Sequence, residues 1–114
     1  MTEKPTPDTH HALSEAAAQA ALATLNASID PSMAQSQTHW QIKDNWLCKT
    51  FTFKHFRAAF AFMTECALLA EKANHHPDWS NSYRTVTINL TSHDVNALSQ
   101  RDFMLAKQIE TIVN

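Results

Sequence analysis

Apolar and polar positions along the chain alternate with two periods, and the changes of period mark the elements. Leu13, Ala17, Ala20, Ala21 and Leu25 recur at helical spacing in LSEAAAQAALATL (13–25), an Ala- and Leu-rich stretch of good helix propensity. Asn26 and the Asp30-Pro31 pair end it, and the polar stretch 27–38 reads as a loop. Trp40-Gln41-Ile42 and Trp46 to Phe53 are aromatic and β-branched runs around Lys43-Asp44-Asn45, the signature of a β-hairpin. Leu47, Lys49, Phe51 and Phe53 share one face of the second strand; Trp46, Cys48, Thr50 and Thr52 share the other. The face with Phe51 and Phe53 is expected to point inward. From Phe56 to Ala73 no residue breaks a helix, and Phe56, Phe60, Met63, Ala67 and Ala70 form a stripe widened by Phe62, Cys66 and Leu69.

Asn74 is placed to end that helix in the left-handed conformation, and Pro77 forbids its continuation. Trp79 to Tyr83 is a short strand. Val86, Ile88 and Leu90 alternate with threonines and Asn89 as a half-buried strand, with Tyr83 and Arg84 at the turn between the two. Ser99-Gln100-Arg101-Asp102 has the form of a capping box, with Asp in place of Glu. Phe103, Ala106, Ile109 and Val113 give the last helix its apolar face. The order is therefore α-β-β-α-β-β-α. Two hairpins imply antiparallel pairing. The expected fold is α+β in two layers: a four-stranded antiparallel sheet with three helices on one face. Residues 1–12 are expected to form a polar, frayed tail and 13–114 a single domain.

Composition narrows the function. The formal net charge is −2, and nothing in it suggests the basic face of a nucleic-acid binder. The first dozen residues have no apolar core of a signal peptide, and no apolar run is long enough to span a membrane, so a cytoplasmic setting is expected. Cys48 and Cys66 lie in apolar runs with no paired spacing and read as buried free thiols. The chain has no glycine, so turns that need positive φ must use residues such as Asn and Asp. It has seven histidines, a high number for its length.

The chemistry concentrates at element boundaries between residues 71 and 102. Glu71 lies on the last turn of the long helix, and His75-His76 occupy its exit loop. His93 follows the last strand, and Asp102 opens the last helix. Imidazoles and carboxylates together make an acid–base set, in which a carboxylate can fix the tautomer of each ring. Spacing alone leaves other readings open: a solvated exit loop, a helix-dipole partner in Asp102, a surface charge in Glu71. A metal site is disfavoured, because no pair has the i, i+4 His–His or Cys-x-x-Cys spacing of common zinc sites. His10, His11, His39 and His55 lack such company and read as structural or solvated.

Glu71, His75-His76-Pro77, Tyr83, His93 and Asp102, at these spacings, resemble the signature of the pterin-4a-carbinolamine dehydratases. Phe60-Ala61-Phe62-Met63-Thr64 and Leu98-Ser99-Gln100-Arg101-Asp102 are similar to that family too, and the resemblance runs from about Trp40 to the C-terminus. His55 departs from it, standing where an acidic helix cap is expected, and the loop 27–38 is longer than the family implies.

The resemblance implies dehydration of 4a-hydroxytetrahydrobiopterin to quinonoid dihydropterin and water, with no metal or organic cofactor. By similarity, His75 and His93 are the acid–base pair, and His76 holds the pterin. Glu71 and Asp102 orient the imidazoles or contact the ring, and Pro77 and Trp79 line the substrate site. The resemblance also implies a homodimer or homotetramer, and an aromatic amino-acid hydroxylase as source of the substrate. Two alternatives stand beside it: a dimerisation or transcription-coactivator module, and a related dehydratase of molybdopterin metabolism.

Overall fold

The computed structural model describes residues 9–33, 35 and 38–113. Among these the chain forms α1 (Glu15–Ala27), β1 (Gln41–Lys43), β2 (Trp46–Thr52), α2 (Phe56–Ala73), β3 (Asp78–Ser82), β4 (Thr85–Leu90) and α3 (Gln100–Ile112). This is the α+β order read from the sequence, with the boundaries of α2 as expected. Most of the expected tail (residues 1–8) and part of the loop 27–38 lie outside the described residues.

Local chemistry explains the boundaries. Asp44 and Asn45 take φ of 51° and 67°, the pattern of a two-residue I′ hairpin turn. Tyr83 turns the second hairpin with φ of 54°. His55 caps α2 in place of an acid: its Nδ1 accepts the Ala58 N–H at 3.1 Å. Helix α1 runs two residues beyond its expected end, because Asn26 is not a stop. Its side chain pairs with both backbone groups of Trp40, each at 3.0 Å, and so ties α1 to the entry of the sheet.

The sheet order is β1-β2-β4-β3, all antiparallel. The two strands with the most apolar inner faces, β2 and β4, take the centre, where Leu47, Phe51, Val86, Ile88 and Leu90 are fully buried. The opposite face carries Thr50, Thr52, Thr85, Thr87, Ser80 and Asn89. The helices pack on the apolar face, with Ala18 and Leu25, Ala59, Phe62 and Cys66, and Leu105, Ala106 and Ile109 joining one core.

The structure corrects three readings of these faces. In α1, Ala17 and Ala20 are exposed and the buried residues are Ala18 and Leu25, with Ile29 buried just beyond the helix end. In α2, the face on the sheet is Ala59, Phe62, Cys66 and Ala70; Phe56 and Phe60 point outward and pack on each other, 5.9 Å between ring centroids. The broad apolar band of α2 offers two overlapping faces, and the small Ala59 is the one that admits close approach to β-strands. Cys66 is buried as expected, but Cys48 is only half-buried, on the outer face of β2. Lys49 is buried on the apolar face. Its Nζ lies 2.5 Å from Glu110 Oε1 in α3, over the Phe51 ring, and Trp40 Nε1–H donates to the same oxygen at 2.9 Å. A buried lysine is tolerable only when so paired.

Candidate active site

The C-terminus of α2 sets the position of the first histidine. Asn74 takes φ 51° and ψ 43°; its N–H bonds to Glu71 O, and the His75 N–H bonds back to Ala70 O, both at 3.1 Å. These are the two bonds of a Schellman motif. They hold the backbone of His75 directly under the helix end and turn its side chain into the protein, where it is buried.

There His75 meets Asp102. Nε2 of His75 lies 2.5 Å from Asp102 Oδ1. The other oxygen, Oδ2, accepts the Ser92 hydroxyl at 2.9 Å and the Ser99 backbone N–H at 3.0 Å. Asp102 is fully buried, and the donors around it suit an acceptor-only carboxylate. Nε2 of His75 must then carry a hydrogen, and the neutral tautomer compatible with this contact has Nδ1 as its acceptor. Nδ1 has no protein partner among the described residues, and the His75 side chain keeps 8% of its surface exposed. His75 forms part of the wall of a cleft of about 620 Å³ between the ends of α2 and α3, with Leu69, Ala73, Met104 and Leu105.

His76 forms a second pair of the same kind on the surface. Its Nε2 lies 2.6 Å from Glu71 Oε1, with both side chains more than half exposed. Adjacent histidines thus have carboxylate partners in opposite environments, one sealed and one solvated. Neither His76 nor Glu71 lines the 620 Å³ cleft.

His93 stands at the start of a tight loop that Ser92 and Ala97 close by pairing their backbones. Thr91 Oγ1 donates to Asn45 O at 2.6 Å and draws this loop against the first hairpin. The exposed His93 ring there meets Trp46 edge-on, 5.5 Å between centroids. Its neighbour Ser92 holds Asp102, so the carboxylate that fixes His75 also anchors the His93 loop. Trp79 is half-buried on the inner face of β3 and packs against the core; Pro77, two residues earlier in the chain, is half-buried as well. Among the described residues no three His, Cys, Asp or Glu side chains converge as a metal site.

This buried histidine–carboxylate pair lies within a long stretch of family likeness. A family model described as Pterin 4 alpha carbinolamine dehydratase matches residues 11–112. The chain belongs to the pterin-4a-carbinolamine dehydratase family. The match starts well before Trp40, so α1 is part of the family domain, and the Leu13 N–H to Leu98 O bond at 2.8 Å shows how that segment is tied in. A protein of Prochlorococcus marinus (strain MIT 9303), provisionally named a pterin-4-alpha-carbinolamine dehydratase, is 52% identical over 81 residues, 71% of this chain and 84% of the relative. A similarly named protein of Synechococcus sp. (strain WH7803) is 46% identical over 80 residues, 70% of this chain and 86% of the relative. A transcriptional coactivator/pterin dehydratase from Brucella melitensis has the same fold, with a TM-score of 0.76 and 31% identity across 91% of this chain and all of that one. A pterin dehydratase-like RuBisCO assembly factor of the alpha-carboxysome shares the fold at 22% identity and a TM-score of 0.57, over 68% of this chain and 89% of that one.

Within the family frame, the sequence pointed to Glu71, His75, His76, His93 and Asp102, and the structure joins them as two pairs plus His93. It did not point to Ser92, Ser99 or Trp46. Ser92 beside His93, and Ser99 as the helix cap, were the available signals, but a hydroxyl in a turn is common and its partner is set only by folding.

Proposed function

We propose that this chain dehydrates a 4a-hydroxytetrahydropterin, with 4a-hydroxytetrahydrobiopterin as substrate, to quinonoid dihydropterin and water. The observation that carries this reading is the buried His75–Asp102 pair, with His75 in the wall of a cleft, in a chain of this family. The reaction is an elimination. The lone pair of the adjacent ring nitrogen expels the 4a-hydroxyl as an acid protonates it, and a base removes a ring N–H proton. One proton is given and one taken, so no redox partner is needed. Imidazoles suit both steps near pH 7. His75, acting through Nδ1, and His93, exposed beside Trp46, are the proton-transfer residues of this reading. His76, oriented by Glu71, holds the pterin with Pro77 and Trp79.

The direct test mixes the purified chain with freshly generated 4a-hydroxytetrahydropterin and follows quinonoid product by absorbance. Acceleration over buffer is expected, and a rate equal to buffer would refute the reading. In the cell such an enzyme would recycle pterin for an aromatic amino-acid hydroxylase, as a homodimer or homotetramer in the cytoplasm; light scattering of the purified chain tests the assembly. No helix among the described residues is long and apolar enough to cross a membrane.

A second reading, a binding module, is favoured by one observation: Phe56, Phe60 and Leu68 are exposed on α2 at 44%, 59% and 67%. The Brucella relative is named as a coactivator as well as a dehydratase. A chain that captures a protein partner and shows no turnover on pterin would support this second reading over the first.

A further inference from the structure

The partners of His75 do not end at Asp102. Ser92 Oγ donates to Asp102 Oδ2 at 2.9 Å and lies 2.6 Å from Ser99 Oγ. Ser99 Oγ accepts the Nε–H of Arg101 at 3.1 Å, and Arg101 in turn holds Asp94 at 2.6 Å. Ser92, Ser99 and Asp102 are each fully buried. The chain Arg101–Ser99–Ser92–Asp102–His75 therefore runs from a cation near the surface to the imidazole.

Its direction is dictated by its two ends. A guanidinium only donates, and an ionised carboxylate only accepts. Ser99 must therefore accept from Arg101 and give its own hydrogen to Ser92. Ser92 must accept that hydrogen and give its own to Asp102. Each hydroxyl uses its single donor toward the carboxylate, so neither can rotate without leaving a buried group unpaired. We infer that Ser92, Ser99 and Arg101 form a directional relay that fixes the rotamer of Asp102 and thereby holds His75 as the Nε2–H tautomer, with Nδ1 as its working nitrogen. They are positioning residues. The inference rests on the proposed role of His75 for its catalytic consequence, but not for its structural one.

The test uses the full chain labelled with ¹⁵N, with the His75 imidazole nitrogens read by long-range ¹H–¹⁵N correlation and assigned through His75→Gln. Lys72, Arg101 and His10 border the same cleft, so spectra are compared at one pH and ionic strength. Wild-type protein is expected to show one neutral tautomer, Nε2–H. Ser92→Ala removes one of the two donors on Oδ2 and leaves the Ser99 N–H alone to hold that side of the carboxylate, which loosens its rotamer. It should give a tautomer mixture and lower kcat about tenfold, with KM changed less than about twofold. Ser92→Thr keeps the hydroxyl and should restore both. Arg101→Gln replaces the obligate donor by an amide that can also accept, and should shift the tautomer in the same sense, to a smaller extent. An unchanged tautomer in both Ser92→Ala and Arg101→Gln overturns the relay, as does failure of Ser92→Thr to restore the wild-type signals. If Ser92→Ala does not fold, Arg101→Gln decides alone, because its site is partly exposed. The imidazole signals need no substrate. A wild-type chain without turnover would overturn the proposed function, and the relay would still be judged on the signals.

Discussion

His75 and Asp102 stand 27 positions apart in the chain and meet at 2.5 Å, Nε2 to Oδ1, with both side chains buried. The contact joins the exit of α2 to the first turn of α3, so the packing of two helices sets the geometry of the His75 imidazole. Replacing Asp102 by Asn keeps the shape but offers an amide that can donate. The ring of His75 can then turn its lone pair to Nε2 and lose the Nδ1 acceptor that the proposed mechanism uses. Asp102→Asn should reduce kcat by about a hundredfold or more, the scale of acid–base assistance, with the circular dichroism unchanged. Turnover within a few-fold of wild type would remove His75 from the mechanism.

The surface pair behaves differently. Glu71 and His76 are both well exposed, and solvent screening leaves such pairs worth about 0–1 kcal/mol. Glu71→Gln should leave the urea midpoint almost unmoved. In the proposed mechanism it should raise KM for the pterin several-fold, because His76 loses its orientation. A large loss of stability would show that the pair is structural.

The buried pair of Lys49 and Glu110 is where stability concentrates. Glu110→Ala strands a buried ammonium and the Trp40 N–H, so it should cost about 3–5 kcal/mol in urea unfolding. Replacing both charges together, as in Lys49→Met with Glu110→Gln, should recover most of that loss. A single variant within about 1 kcal/mol of wild type would contradict the pairing.

The two thiols should separate by environment. Burial, with Glu65 nearby adding to it, pushes the Cys66 thiol up to about 12, and burial also raises Cys48, less strongly. At pH 8 the folded chain should react slowly with iodoacetamide at Cys48 and hardly at all at Cys66 until it unfolds. The linkage follows the same sign. Cys66 is neutral when folded, and unfolding lets it ionise at high pH. Its contribution is intact below about pH 9 and is lost as pH rises from there toward 12. Unfolding free energies at pH 8 and 10 should differ more in wild type than in Cys66→Ala; equal differences would rule the effect out.

Periodicity carried the element order, the bounds of α2, the inner faces of β2 and β4, and the cap at Ser99, because each depends on neighbours within a few residues. Asn74 was legible as a left-handed stop for the same reason. Two kinds of residue were not. Lys49 reads as a charge on an apolar face, and nothing near it in sequence announces Glu110, 61 positions on. Phe56 and Phe60 belong to a stripe as good as the one that is buried, and only contact with the sheet chooses between them.

The site divides in the same way. The sequence by itself determined which residue types are present and at which element ends they sit: Glu71 and His75-His76 at the exit of α2, His93 after β4, Asp102 in the first turn of α3. Local chain physics is enough for that. Only the tertiary structure decided the partners, because a hydrogen bond needs its two atoms within about 3 Å and that distance is set by how helices and strands pack. It gave Asp102 to His75 and not to His93, left Glu71 to His76 in solvent, and set Trp46 against His93. It also drew in Ser92 and Ser99, whose hydroxyls carry no signal of their own until burial obliges each to find a partner.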